Sequence, residues 1–366
     1  MTKIWWAQIQ AVIRLELKRT LLARRGIWIY VLALLPLVLF LAHAVVVSHD
    51  RNRSNDIAAR GAKHLTYQDL QAIKPEMTRQ EVIYRLGSPP VRFHWRGQRV
   101  RKPGEFANTF DESYRYSDGT NDLFVDLSDD KVTGVRLQQG YNIGDDSVVF
   151  AGVFQFFYLR LAIFFGCLGV FMNLFRGEIL DKSLHFYFLA PIRREVLMVG
   201  KFLAGLLATC IIFVSSELLQ LFVFTRQFSP NVRELYLYQG HGMAHAAAYI
   251  GVTVLACLGY GAFFLAAGLL FRNPILPAAA ILIWEGINPF LPALLKKFSV
   301  IYYLKSLCPV EIPSPPGTPA LLSLLVSNPD PVSTPVAILG IVIVALLVLY
   351  VSSFQVRRME INYTTE

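Results

Sequence analysis

The chain has 366 residues, 54% of them apolar and only 17% charged, with a formal net charge of +9. About 25% charged is usual for a soluble domain, so the composition excludes an ordinary soluble protein. The apolar residues come in blocks of roughly 20, the length that crosses a bilayer.

Residues 3–25 predict an amphipathic helix. At 100° per residue Trp5, Trp6, Ile9, Val12 and Ile13 share one face, and Lys3, Gln10, Arg14 and Lys18 share the opposite one. Such a helix suits the inner membrane interface; the alternative is a plain cytoplasmic extension of the first span. Glu16 interrupts the apolar face. The run that follows is too long for a signal-peptide core and has no small-residue cleavage site, so no cleavable leader is expected. Candidate spans lie at 27–48, 151–175, 202–224, 244–271, 275–295 and 335–354. The predicted fold is therefore an α-helical integral membrane bundle of six transmembrane helices.

Block 49–150 differs in composition. It holds 15 Lys/Arg and 15 Asp/Glu and is neutral. Thr78 and Glu81 form a capping-box pattern that opens a helix, and Gly87 with Pro89 and Pro90 stops it. Segments 112–117, 122–127 and 131–138 read as strands parted by turns at Asp118–Gly119 and Asp129–Asp130. This predicts a small α+β domain between the first two spans.

Charge sets the topology. With a cytoplasmic N-terminus, the inner segments 1–26, 175–201, 272–274 and 355–366 hold 14 Lys/Arg, whereas the short outer loops 225–243 and 296–334 hold five. Basic short loops stay inside, and long domains cross largely regardless of charge. Both termini are then cytoplasmic and 49–150 is extracytoplasmic. This gives a cytoplasmic interfacial helix (1–26), a first span (27–48), the outer domain, a five-helix remainder (151–354) and a cytoplasmic tail (355–366).

No nucleotide-binding loop, GxSxG or HExxH motif occurs. The cysteines Cys167, Cys210, Cys257 and Cys308 fall in no metal or CxxC spacing. His241 and His245 stand four apart without a third ligand nearby, so they read as interfacial polar residues rather than a metal site. Arg160, Glu217 and Glu285 lie well inside spans, where ionisable residues usually pair or face a polar cavity. Arg160 and Glu217 fall at similar depth on consecutive antiparallel helices, roughly 12 and 10 Å from the outer end at 1.5 Å per residue, which predicts an ion pair. Glu285 is the alternative partner for Arg160.

The inner loop 175–201 is charged at both ends and apolar in the middle, with Phe186, Tyr187, Phe188 and Leu189 ahead of Pro191. It predicts a short helix-turn-helix suited to docking a protein; the alternative is a juxtamembrane loop whose Arg193 and Arg194 meet anionic headgroups. Glu178, Leu189, Pro191, Ile192, Arg193, Arg194, Gly200 and Lys201 correspond to a pattern of an acidic residue after the second span, then Leu-x-x-Pro-Ile/Val-Arg/Ser-Arg, here with one residue fewer between Leu189 and Pro191, then Gly-Lys. The chain in this respect resembles the membrane subunit of type-2 ABC exporters, over about 1–48 and 151–354. The resemblance implies a transport permease of a bacterial inner membrane, without catalysis or cofactor of its own and with no nucleic-acid partner. It implies that loop 175–201 contacts an ABC ATPase on a separate chain, and that two copies, or this chain and a related permease, assemble in the bilayer as a homodimer or heterodimer. Residues 73–90, IKPEMTRQEVIYRLGSPP, are similar to small envelope domains of the SmpA/BamE type. A membrane receptor sensing an envelope signal through 49–150 is the second reading. The short tail 355–366 offers it no output domain, and an intramembrane enzyme would need paired ionisable groups at one depth.

Overall fold

The computed structural model describes residues 2–22, 26–102, 105–180, 192–271, 275–312 and 332–358. It divides into two compact units, one of residues 1–40 and 147–366 and one of residues 41–146.

The first unit is helical. Helix α1 is Thr2–Leu22, and α2, Ile27–Arg60, runs from this unit into the next. Among the described residues five helices are long and apolar enough to cross a membrane: α2, the continuous rod Ile143–Phe175, then Arg194–Arg226, Gly242–Leu270 and a last helix from Thr334. The second of these rods starts as Ile143–Gly152 and widens to a π-helical stretch over Val153–Ile163. It then continues as Phe164–Phe171 and Asn173–Leu180. Aromatic rings fill the bundle, with Phe164 edge-on to Tyr260 and Phe264, and Phe150 against Phe40, Phe224 and Tyr249.

The expected span 275–295 does not reach full length. Its helix, Ile275–Ile287, has 13 residues, about 20 Å at 1.5 Å per residue, against a hydrocarbon core of about 30 Å. A 3-10 turn, Asn288–Phe290, and a four-residue helix, Ala293–Lys296, follow. Pro289 and Pro292 account for the break, because neither can donate a helical hydrogen bond. The chain then turns into Val300–Ser306, whose residues from Val300 to Lys305 are buried. An added Cβ on Gly259 would stand 2.8 Å from Val300, so the small residue lets the two helices meet.

The second unit contains the end of α2, two short helices and a sheet. Helices α3, Tyr67–Gln71, and α4, Arg79–Leu86, both begin with capping boxes, Thr66 with Asp69 and Thr78 with Glu81. Four antiparallel strands, β1 Val91–Lys102, β2 Glu105–Ser117, β3 Asp122–Ser128 and β4 Lys131–Gln138, lie in the order of the chain. Strand β1 is an addition to the three strands expected from the sequence. Asp129 and Asp130 both have positive φ, 51° and 64°, which matches the twist of a two-residue hairpin turn. Alternation along β3 turns Leu123, Val125 and Leu127 inward, onto Tyr114 and Tyr116 of β2 and onto Leu70, Val82 and Leu86 of the helices.

Residues 49–146 expressed alone should therefore unfold in one cooperative thermal transition. Leu123→Ala should lower the stability of this fragment by about 2–5 kcal/mol. The carboxyls of Asp69 and Glu81 lie below their ordinary values because the side chain of Thr66 and the backbone of Thr78, respectively, hydrogen-bond them. A depressed carboxyl stabilises the fold above its unfolded pKa, and that gain is lost as pH falls through the folded value. The unfolding midpoint should drop below about pH 4, and less steeply in Glu81→Gln; a random-coil spectrum at neutral pH would contradict the assignment of a self-sufficient core.

Candidate functional site

Lys201 is completely buried, 0% exposed, near the start of Arg194–Arg226. An ammonium in that setting needs partners. Its Nζ donates to Glu16 Oε1 at 2.6 Å and to the Leu174 carbonyl at 2.9 Å, and stands 2.7 Å from Glu178 Oε1. It also lies 5.3 Å from the centre of the Phe175 ring. Arg19 Nη1 donates to the same Glu178 Oε1 at 3.1 Å. Two cations and two carboxylates thus join α1, Asn173–Leu180 and Arg194–Arg226.

The sequence builds this cluster by spacing. Val12 and Glu16 are one turn apart and both buried, so one face of α1 is turned to the Arg194–Arg226 helix. Gly200 makes the contact possible, since a Cβ there would stand 2.9 Å from Val12 Cγ1. Glu16, the exception on the apolar face of α1, is the residue that face presents to Lys201. Glu178 lies in Asn173–Leu180, the last stretch of the second rod, and burial pushes its carboxyl up to about 7 against the opposing pull of Lys201. Its Oε2 has no hydrogen-bond partner. A cavity of about 170 Å³ beside the cluster is lined by Glu16, Arg19, Glu178, Trp28 and Asn173.

Of the loop residues, Leu189 and Pro191 lie outside the described residues. Arg193 is exposed and stacks its guanidinium 4.9 Å from the Trp5 ring centre. Arg194 Nη1 donates to the Arg357 carbonyl at 2.9 Å, and Arg357 Nε reaches Glu195 Oε1 at 2.5 Å. The return limb of the loop is thereby fixed both to α1 and to the last helix, Thr334–Arg358.

The family model for ABC-2 family transporter protein matches residues 10–272. The chain belongs to the ABC-2 transporter family. No curated protein and no solved structure matches it. The match takes in the four charged residues of the cluster, and it identifies the chain as an ABC transporter permease.

The intramembrane charges of this permease are arranged differently from the expectation. Arg160 and Glu217 form no ion pair: both carboxyl oxygens of Glu217 and the Nε of Arg160 are buried without a hydrogen-bond partner. Equal depth was not sufficient, because helix rotation decides which way a side chain faces. Arg160 instead lies within electrostatic range of Glu285 and Tyr260 and beside the Phe156 ring, 5.6 Å from its centre. Glu285 has a structural task of its own. Its carboxylate accepts from Ser299 Oγ at 2.7 Å and from the backbone N–H groups of Val300 and Ile301 at 3.0 and 2.9 Å. It caps the helix that follows the broken span. His245 Nδ1 meets the Tyr236 hydroxyl at 3.3 Å, and no group of three metal-type ligands occurs among the described residues.

Sequence reasoning placed Glu178 and Lys201 at the loop ends but missed Glu16 and Arg19 as their partners. Removing Lys201 takes away the ammonium buried between Glu16 and Glu178, so Lys201→Ala should destabilise the purified permease by about 3–5 kcal/mol. The side chain of Arg19 is 47% exposed, and Arg19→Ala should cost less than about 1 kcal/mol. Unfolding in detergent measures both, and equal losses would contradict the assigned roles.

Proposed function

We propose that this permease is the membrane-spanning subunit of an ATP-driven exporter, and that an ABC ATPase on a separate chain docks on loop 175–201. The observation that carries this reading is the burial of Lys201 between Glu16 and Glu178. The two limbs that bracket the loop and the N-terminal helix are bound through one ammonium, so a push on the loop moves all three together. ATP-driven closure of two ATPase subunits then rocks the bundle between inward- and outward-open states. The path is formed by two such bundles, either two copies or this chain with a related permease. In this reading the protein lies in a bacterial inner membrane with both termini cytoplasmic. Residues 49–150 then form an SmpA/BamE-like domain on the outer side, following the distribution of Lys and Arg.

The coupling role makes Arg193 and Arg194 the exposed and half-exposed basic pair at the loop's return limb. The double variant Arg193→Glu/Arg194→Glu should insert normally but lose ATP-dependent transport and co-purification of the ATPase. Trp5→Ala, which removes only the ring under Arg193, separates loss of the internal contact from loss of docking. Normal assembly and transport in the double variant would contradict docking at this loop.

A further inference from the structure

Glu217 lies about 14 Å of helix before Arg226, the end of its span. It is 0% exposed, and neither carboxyl oxygen has a hydrogen-bond partner. Two further buried oxygens share that condition on the neighbouring helix Gly242–Leu270, the Tyr249 hydroxyl and Thr253 Oγ1. Tyr249 and Thr253 are one turn apart and so on one face, and they are 3% and 0% exposed. The Gly242–Leu270 and Arg194–Arg226 helices pack together, and Glu217 is within electrostatic range of Tyr249, of Tyr158 and of Cys308. The Tyr158 hydroxyl already donates to the Phe213 carbonyl at 2.5 Å.

Among the described residues no basic group pairs with this carboxyl. Arg160 lies within electrostatic range of Glu285 and Lys305. A bare carboxylate in an apolar interior is too costly to persist alone. The unmatched groups on the neighbouring Gly242–Leu270 helix are hydroxyls, which can donate or accept. One negative charge with neutral oxygens, and no group of three His, Cys, Asp or Glu among the described residues to hold a multivalent metal, matches a single positive charge.

We infer that Glu217, with the Tyr249 and Thr253 hydroxyls, is a binding site for a monovalent cation, a proton or Na⁺, inside the membrane bundle. When the ion is a proton, it bonds to one carboxyl oxygen, and the resulting O–H can donate to a neighbouring hydroxyl. When it is Na⁺, the carboxylate and the two hydroxyls supply oxygen ligands. Either ion leaves the site neutral while it is closed, and release requires water to reach Glu217. The site rests on the bundle alone and stands whether or not an ATPase docks at loop 175–201.

Two measurements on the full-length chain test this. The first is labelling in membranes with dicyclohexylcarbodiimide, which adds to a protonated carboxyl in apolar surroundings as an N-acylurea. The adduct is mapped by mass spectrometry. It should form on Glu217 and fall to background in Glu217→Gln. Loss of label when Na⁺ replaces choline at constant pH identifies Na⁺ as a ligand, and loss only on raising pH identifies the proton. The second is the unfolding midpoint of the purified chain across pH and Na⁺ series. The wild-type midpoint should shift with one of the two ions. Glu217→Gln, a neutral isostere, should fold and lose that shift, and Tyr249→Phe should move the ion concentration at half-effect. Either a Glu217 adduct or a shift altered by Glu217→Gln or Tyr249→Phe supports the site. Absence of the adduct, together with wild-type ion dependence in both variants, would overturn it.

Discussion

An ammonium group with no exposure to water governs the organisation of the helical unit. Lys201 can be buried only because two carboxylates and a backbone carbonyl meet it within 2.9 Å. Breaking such a pair costs about 3–5 kcal/mol even where the intact pair contributes little net stability. The cluster therefore acts chiefly as a constraint. It fixes which face of α1 meets the Arg194–Arg226 helix, and it holds the end of the second rod to both. Gly200 and Val12 supply the close approach, and Arg19 extends the cluster to the surface. In the proposed reading, that constraint makes a push at loop 175–201 move α1 and both neighbouring helices together.

A second carboxylate solves a different problem. The prolines that shorten the Ile275–Ile287 helix leave the chain to re-enter a buried setting as Val300–Ser306. The first backbone N–H groups of that helix have no partner within it, and Glu285 accepts from two of them. This use of Glu285 explains why it is not available as a close partner for Arg160. Glu217 has no comparable arrangement, and that contrast singles it out among the three intramembrane charges.

Local chemistry was readable from the sequence, and long-range pairing was not. The capping box at Thr78, the turn at Asp129–Asp130 and the alternation of β3 all depend on neighbours a few residues apart. Strand β1 escaped notice because Val91–Lys102 carries five Lys/Arg and no clean apolar alternation. Five of the six expected spans have the length their apolar runs imply, whereas the proline pairs at 289 and 292 proved stronger than the apolar character of the fifth. Glu178 and Lys201 were visible through a motif. Glu16 was visible only as an exception to the α1 pattern, because its partner lies 185 residues away. The Arg160–Glu217 expectation failed for the reason Glu16 succeeded: depth along a helix is written in residue number, but the direction of a side chain is set by packing.

A double-mutant cycle on Glu16 and Lys201 reaches the constraint directly. Unfolding free energies of Glu16→Gln, Lys201→Met and the double variant are measured in one detergent. If the buried contact binds α1 to the transport bundle, each single change destabilises the protein and the double change recovers part of the loss, with a coupling of about 1–3 kcal/mol. Losses that add to within about 0.5 kcal/mol would show that the two residues act independently, and the account of the coupling cluster would fail.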